Sequence, residues 1–178
     1  MGLTLGCNCK KCGYSFGANV GVGMLYPKVY SEIVTKMKKG KFGKQGKEFF
    51  EAFPNGAISC ENIVVQCNSC GQLMVVPELT LYIPQEGYNP TKQDKDIPWS
   101  TGFSGKGYEY VGFHELDNHY QLFEQYDHRC INCNGHTSVV PGFTERIFME
   151  KLGEKTDNQV RCPACGSMMK IDFCMLWD

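Results

Sequence analysis

A chain of 178 residues with 42% hydrophobic content can bury one ordinary core or two small ones, which excludes a purely solvated tail. Eighteen Lys plus Arg stand against nineteen Asp plus Glu, so no overall basic field draws it to nucleic acid or an anionic membrane, and electrostatic binding has to be local. No run approaches the roughly 20 apolar residues of a membrane span, and Met1 to Cys7 lacks a basic then apolar leader, so the expectation is a cytoplasmic protein.

Eleven cysteines without an export signal point to reduced thiols rather than disulfides, and eight of them form four Cys-x-x-Cys pairs. The first is Cys9-Lys10-Lys11-Cys12, followed by Gly13. Two thiolates at this spacing reach one ion from a tight turn, and a Gly after the second Cys lets the backbone close around the sulfurs. Behind Pro27, the positions Tyr26, Val29, Tyr30, Ile33, Val34 and Met37 recur at helical spacing and predict an amphipathic helix to about Lys39. A second, from Gln45 to Phe53, buries Phe49, Phe50 and Phe53 and stops at Pro54-Asn55-Gly56. From the end of the first into the second, Lys36, Lys38, Lys39, Lys41, Lys44 and Lys47 follow one another with no acid between, and Gly precedes Lys41, Lys44 and Lys47. Such a loop suits phosphates, and it equally suits a solvated helix end whose cations complement the dipole.

Asn62 to Gln66 and Leu73 to Ile83 read as strands flanking the second pair, Cys67/Cys70 with Gly71. Pro84 to Gly107 reads as a long connection, carrying Tyr88, Trp99 and Phe103, with Tyr108 just beyond it. Tyr120, Leu122, Glu124 and Tyr126 alternate as a strand, although Phe113, Leu116, Tyr120 and Phe123 fit a helix. The third pair, Cys130/Cys133, is followed by Asn134 and then Gly135. A helix of about Phe143 to Leu152 follows Pro141-Gly142. The fourth pair is Cys162/Cys165 with Gly166, and Met169, Ile171, Phe173, Met175 and Trp177 then alternate as one face of a closing strand.

Four pairs make two complete tetrahedral sites. The segment Val65 to Met74 parallels Val160 to Met169, so the chain reads as two tandem, duplicated modules, 1–95 and 96–178, of α+β class with helical insertions between the cysteine pairs. That plan predicts one site from Cys9, Cys12, Cys67 and Cys70, and another from Cys130, Cys133, Cys162 and Cys165. Cys7, Cys60 and Cys174 are then spare thiols, with Cys7 best placed to compete for the first ion.

Two near-motifs fail on spacing. In His114-Glu115-Leu116-Asp117-Asn118-His119 the second His is five positions on rather than four, which swings it off the first one's helix face. In Gly102-Phe103-Ser104-Gly105-Lys106-Gly107 the gap is two residues and Gly107 stands where a magnesium-binding hydroxyl is needed.

The stretches Cys9-Lys10-Lys11-Cys12-Gly13-Tyr14 and Cys162-Pro163-Ala164-Cys165-Gly166 resemble the first and second knuckles of the zinc-ribbon and rubredoxin-like superfamily. The resemblance covers some twenty residues and implies tetrahedral sulfur ligation of zinc or, less readily, iron. Members of that superfamily serve in transcription machinery, ribosomes, nucleic-acid enzymes and electron transfer. Under the tandem plan the two best-matching knuckles fall in different sites, a departure from the superfamily pattern. The expected function is a non-catalytic protein with two zinc ions that binds nucleic acid or another protein. A rubredoxin-like electron carrier, or an enzyme scaffolded by the ribbons, is the alternative.

Overall fold

The computed structural model describes residues 2–23, 25–90, 108–141, 143 and 159–177. In chain order the elements begin with β1 (Gly2–Asn8), β2 (Ser15–Val20), α1 (Tyr26–Lys38), α2 (Lys44–Ala52) and β3 (Ala57–Ile58). Then come β4 (Asn62–Cys67), β5 (Leu73–Pro77), β6 (Leu81–Pro84), α3 (Phe113–His119) and β7 (Tyr120–Glu124). The chain closes with β8 (Thr137–Val139), β9 (Gln159–Arg161) and β10 (Met168–Trp177). The class is mixed α+β, with every strand pair antiparallel. Among the described residues no helix is long and apolar enough to cross a membrane.

Two compact units interleave along the sequence, which differs from a division near residue 95. One comprises Met1–Gly23, Glu61–Pro77 and Asp127–Asp178, and the other Met24–Cys60 and Glu78–Tyr126.

In the first unit β2-β1-β10-β9 form one sheet and β5-β4-β8 another. Leu3, Leu5 and Cys7 alternate into the core along β1, as Ala18 and Val20 do along β2. This period-two signal stood in the sequence before and after the first cysteine pair. Opposite Thr4 and Leu5 the register jumps from Met175 to Phe173, so Cys174 is a bulged extra residue. The bulge breaks the expected single face of β10: Met169 and Ile171 are buried, whereas Met175 is 59% exposed. Strand β4 serves two clusters. Ile63, Val65 and Cys67 pack with Met74 and Cys130, while Val64 joins Leu3, Leu5, Cys9, Phe143 and Cys162.

In the second unit α1 buries Tyr26, Tyr30, Ile33 and Met37, and α2 buries Phe49 and Phe50. Phe53 is half-buried, in an aromatic cluster with Phe49 and Phe123. Sheet β3-β6-β7 completes the unit. The run from Leu73 to Ile83 is two strands rather than one, because Leu79 turns the chain with φ 59° while its N–H donates to the Ser59 carbonyl at 2.8 Å. The ambiguous stretch is helix and then strand: α3 ends at His119 and β7 begins at Tyr120. The expected helix after Phe143, the loop Gly102 to Gly107, Trp99 and Phe103 lie outside the described residues.

Candidate metal centres

All four cysteine pairs adopt one local conformation. In each, the N–H four residues after the first Cys donates to that Cys carbonyl: Gly13 to Cys9 at 2.9 Å, Gly71 to Cys67 at 3.0 Å, Asn134 to Cys130 at 2.8 Å and Gly166 to Cys162 at 2.9 Å. The donor sits in the left-handed region, with φ of 76°, 75°, 57° and 75° in that order. That is why Gly follows three of the pairs and why the third has Asn, the side chain that best tolerates this conformation. The first Cys of every pair is buried, and the second is exposed or half-buried.

The pairs meet in a nested arrangement rather than a tandem one. Cys9 and Cys12 join Cys162 and Cys165, and Cys67 and Cys70 join Cys130 and Cys133, the four sulfurs of each group lying within 4.8 Å of one another. The expected pairing of Cys9/Cys12 with Cys67/Cys70 is thereby corrected, and so is that of Cys130/Cys133 with Cys162/Cys165. The physical reason is the β1–β10 ladder, which lays the first strand against the last and carries their knuckles to the same end of the sheet. The second group is assembled by β8 pairing with β4, Cys67 opposite Thr137. With this nesting, the two knuckles that best match the zinc-ribbon pattern form one site.

The geometry fits a tetrahedral ion. Four thiolates around a metal at about 2.3 Å place their sulfurs about 3.8 Å apart. Cys9 and Cys165 lie 3.5 Å apart, Cys12 and Cys162 3.6 Å, Cys67 and Cys133 3.4 Å, and Cys70 and Cys130 3.6 Å. Backbone N–H groups aim at the sulfurs, with Ser69 and Cys70 each 3.4 Å from Cys67 Sγ and Asn132 3.4 Å from Cys130 Sγ. Such donors disperse thiolate charge and orient the ligands.

Protonation follows the same logic. The Cys70 backbone N–H, with help from that of Ser69, holds Cys67 down at about 6. The hydroxyl and the backbone N–H of Ser167 hold Cys165 down at about 6. Cys12 is pushed up to about 12 although the Tyr14 N–H pulls it down, because burial and the neighbouring sulfurs of Cys9, Cys165 and Cys162 oppose its ionisation. Cys133 is likewise pushed up to about 12, the sulfurs of Cys67, Cys70 and Cys130 and its burial together outweighing the Gly135 N–H. Four thiolates this close repel one another, and a divalent cation removes the repulsion.

The remaining thiols join neither group. Cys7 is buried in the β1 core, and burial, with the nearby Cys162 and Asp172, raises its pKa to about 11. Cys60 is buried in the other unit and Cys174 is exposed. Histidine takes no part in either group. His136 Nδ1 lies 3.0 Å from Asp127, whose carboxyl is held below its usual range by that hydrogen bond and by Arg129 at 2.7 Å. His119 stacks on Tyr88 at 4.4 Å, and His114 lies at the other end of α3, so the near-metalloprotease motif assembles no site.

The six lysines lie exposed along the end of α1, the turn and the start of α2. Lys47 pairs with Glu51 at 3.7 Å, and the Lys38 ammonium sits 5.1 Å from the Phe50 ring centre. The glycines have structural duties. Gly40, φ 72°, ends α1 with its N–H on the Met37 carbonyl at 2.8 Å and the Lys41 N–H on that of Lys36 at 2.9 Å. Gly43 caps α2 with φ 87°, and Gly46 allows a close approach to Met37.

Gln66 escaped the sequence reading. Its side-chain amide donates to the Gly71 carbonyl at 2.9 Å and to the Arg161 carbonyl at 2.8 Å, joining the two sites. No local pattern announces a partner 95 positions away.

The chain matches no protein-family model, no curated protein and no solved structure.

Proposed function

We propose that this is a non-catalytic zinc protein in which both four-cysteine sites are structural and whose task is to bind a macromolecule. The observation that carries the reading is the completeness of both groups: four thiols each, with the first Cys of every knuckle buried, leave no position for water or substrate. Reduced thiols on this scale suit the cytoplasm. A second reading, an iron-loaded electron carrier, draws support from the meeting of the two best-matching knuckles in one site, since iron accepts the same four sulfurs. Metal analysis with a visible spectrum separates them. Colourless protein carrying two zinc ions supports the structural reading, and red protein with charge-transfer bands supports electron transfer.

The partner follows from Lys36, Lys38, Lys39, Lys41, Lys44 and Lys47. Lys44 and Lys47 stand in the first turns of α2 with no acid in the first turn, where cations oppose the helix dipole, so an anionic partner relieves an unfavourable arrangement. Nucleic acid is the partner this charge favours, and another protein on the ribbon faces is the competing outcome. Affinity for DNA and RNA should fall with salt, and changing Lys38, Lys39, Lys41 and Lys44 to Gln should lower the slope by about 3 to 4 on duplex DNA. No binding by the unaltered protein at low salt removes nucleic acid as the partner.

A further inference from the structure

The two metal centres share structural members. Strand β4 sends Val65 and Cys67 into the cluster around Cys130, and Val64 into the cluster that holds Cys9 and Cys162. Immediately before Cys67, the Gln66 amide donates to the Gly71 carbonyl inside its own knuckle. The same amide donates to the carbonyl of Arg161, the residue immediately before Cys162 in the other centre. A Cβ placed on Gly71 would lie 3.4 Å from Pro163 Cα, so the two knuckle turns are in contact.

We infer that the two centres bind metal cooperatively, with Gln66 as the positioning residue that transmits the coupling. The inference rests on both groups holding metal. Loading either centre fixes its knuckle turns. Fixing the Cys67 knuckle presets the Gly71 carbonyl and the Gln66 amide, and the amide then holds β9 and Cys162 where the other ion needs them. Metal affinity in such sites is inseparable from ordering of the chain, so a turn ordered beforehand binds more tightly. The effect is reciprocal: the ion at Cys162 must favour the ion at Cys67 by the same factor. Coupling between sites commonly lies between about 5-fold and 150-fold, and two hydrogen bonds with a shared strand place this case near tenfold.

Native mass spectrometry of the full chain, stripped of metal and titrated with zinc to half-saturation, reads the coupling from the share of one-zinc protein. Independent sites give a one-zinc share of about half or more, and more still when their affinities differ. Tenfold coupling between similar sites lowers it to about a quarter. The expected result is a depleted one-zinc form in the unaltered protein and its return to about half in Gln66→Met, which keeps the side-chain volume and removes the donor. Because a variant can lose its fold, circular dichroism of zinc-saturated Gln66→Met accompanies the titration. If that variant does not fold, competition with a chromophoric chelator in Cys133→Ser supplies the second test, where site Cys9/Cys12/Cys162/Cys165 should bind about tenfold more weakly. A one-zinc share that is the same in the unaltered protein and in a folded Gln66→Met overturns the inference, because that comparison does not depend on whether the two affinities are alike, and so does an unchanged affinity of site Cys9/Cys12/Cys162/Cys165 in Cys133→Ser. Failure to bind two ions at all is a different result, and it contradicts the metal-site reading itself.

Discussion

Glycine at positions 40, 43 and 46 puts a recurring Gly-Lys pattern into the sequence, yet each glycine answers a different local demand. At Gly40 the demand is φ 72°, and an added Cβ would meet only ordinary van der Waals neighbours, Lys47 Cδ at 3.7 Å and the Gly43 carbonyl oxygen at 3.9 Å, so Gly40→Ala should cost about 1–2 kcal/mol through backbone strain alone. At Gly46 it is room. A helix-interior Gly→Ala change ordinarily gains about 0.5–1 kcal/mol, but here the added Cβ meets the fully buried Met37 at 2.5 Å from Cε and 3.3 Å from Cβ. Overpacking of that kind costs about 1–3 kcal/mol, so Gly46→Ala should lower the thermal midpoint instead of raising it. Cys60 adds a pH signature. Burial and then Glu78 raise its pKa, so the folded chain holds a proton the unfolded chain releases above about pH 8.5. Stability should fall as pH rises past that value, and Cys60→Ala should flatten the slope of unfolding free energy between pH 8 and 10.

Individual elements were readable where the signal was local. The apolar spacing from Tyr26 to Met37 and Phe49-Phe50 marked α1 and α2 to within about one residue at each end. Three of the four knuckle turns were readable from Cys-x-x-Cys-Gly alone, and the third in chain order carries Asn134 in the glycine's place. What misled the pairing was the likeness of Val65–Met74 to Val160–Met169, because both are strand, knuckle and strand with a left-handed Gly, and that local hairpin does not by itself determine which knuckles share a site. The partner of each knuckle is chosen by ladders between residues far apart, Leu3 opposite Leu176 above all, and no window of sequence contains that choice. Leu5 tests the ladder. It is fully buried in the core beside Cys9 and Cys162, so Leu5→Ala should cost about 2–5 kcal/mol. Under thiol alkylation, Cys9, Cys12, Cys162 and Cys165 should become reactive before Cys67, Cys70, Cys130 and Cys133.

At the scale of the molecule, both metal groups belong to the unit built from Met1–Gly23, Glu61–Pro77 and Asp127–Asp178, and the lysines belong to the other. Nesting makes the first unit depend on the pairing of β1 with β10, so a metal held by Cys9, Cys12, Cys162 and Cys165 would tie its order more tightly than a local knuckle requires. Metal counting by native mass spectrometry in two double variants tests this account most directly. Cys9→Ser with Cys162→Ser should leave one ion per chain, since both changes fall in one group, whereas Cys9→Ser with Cys67→Ser should leave none. One ion in the second variant and none in the first would contradict the nested pairing and restore the tandem one.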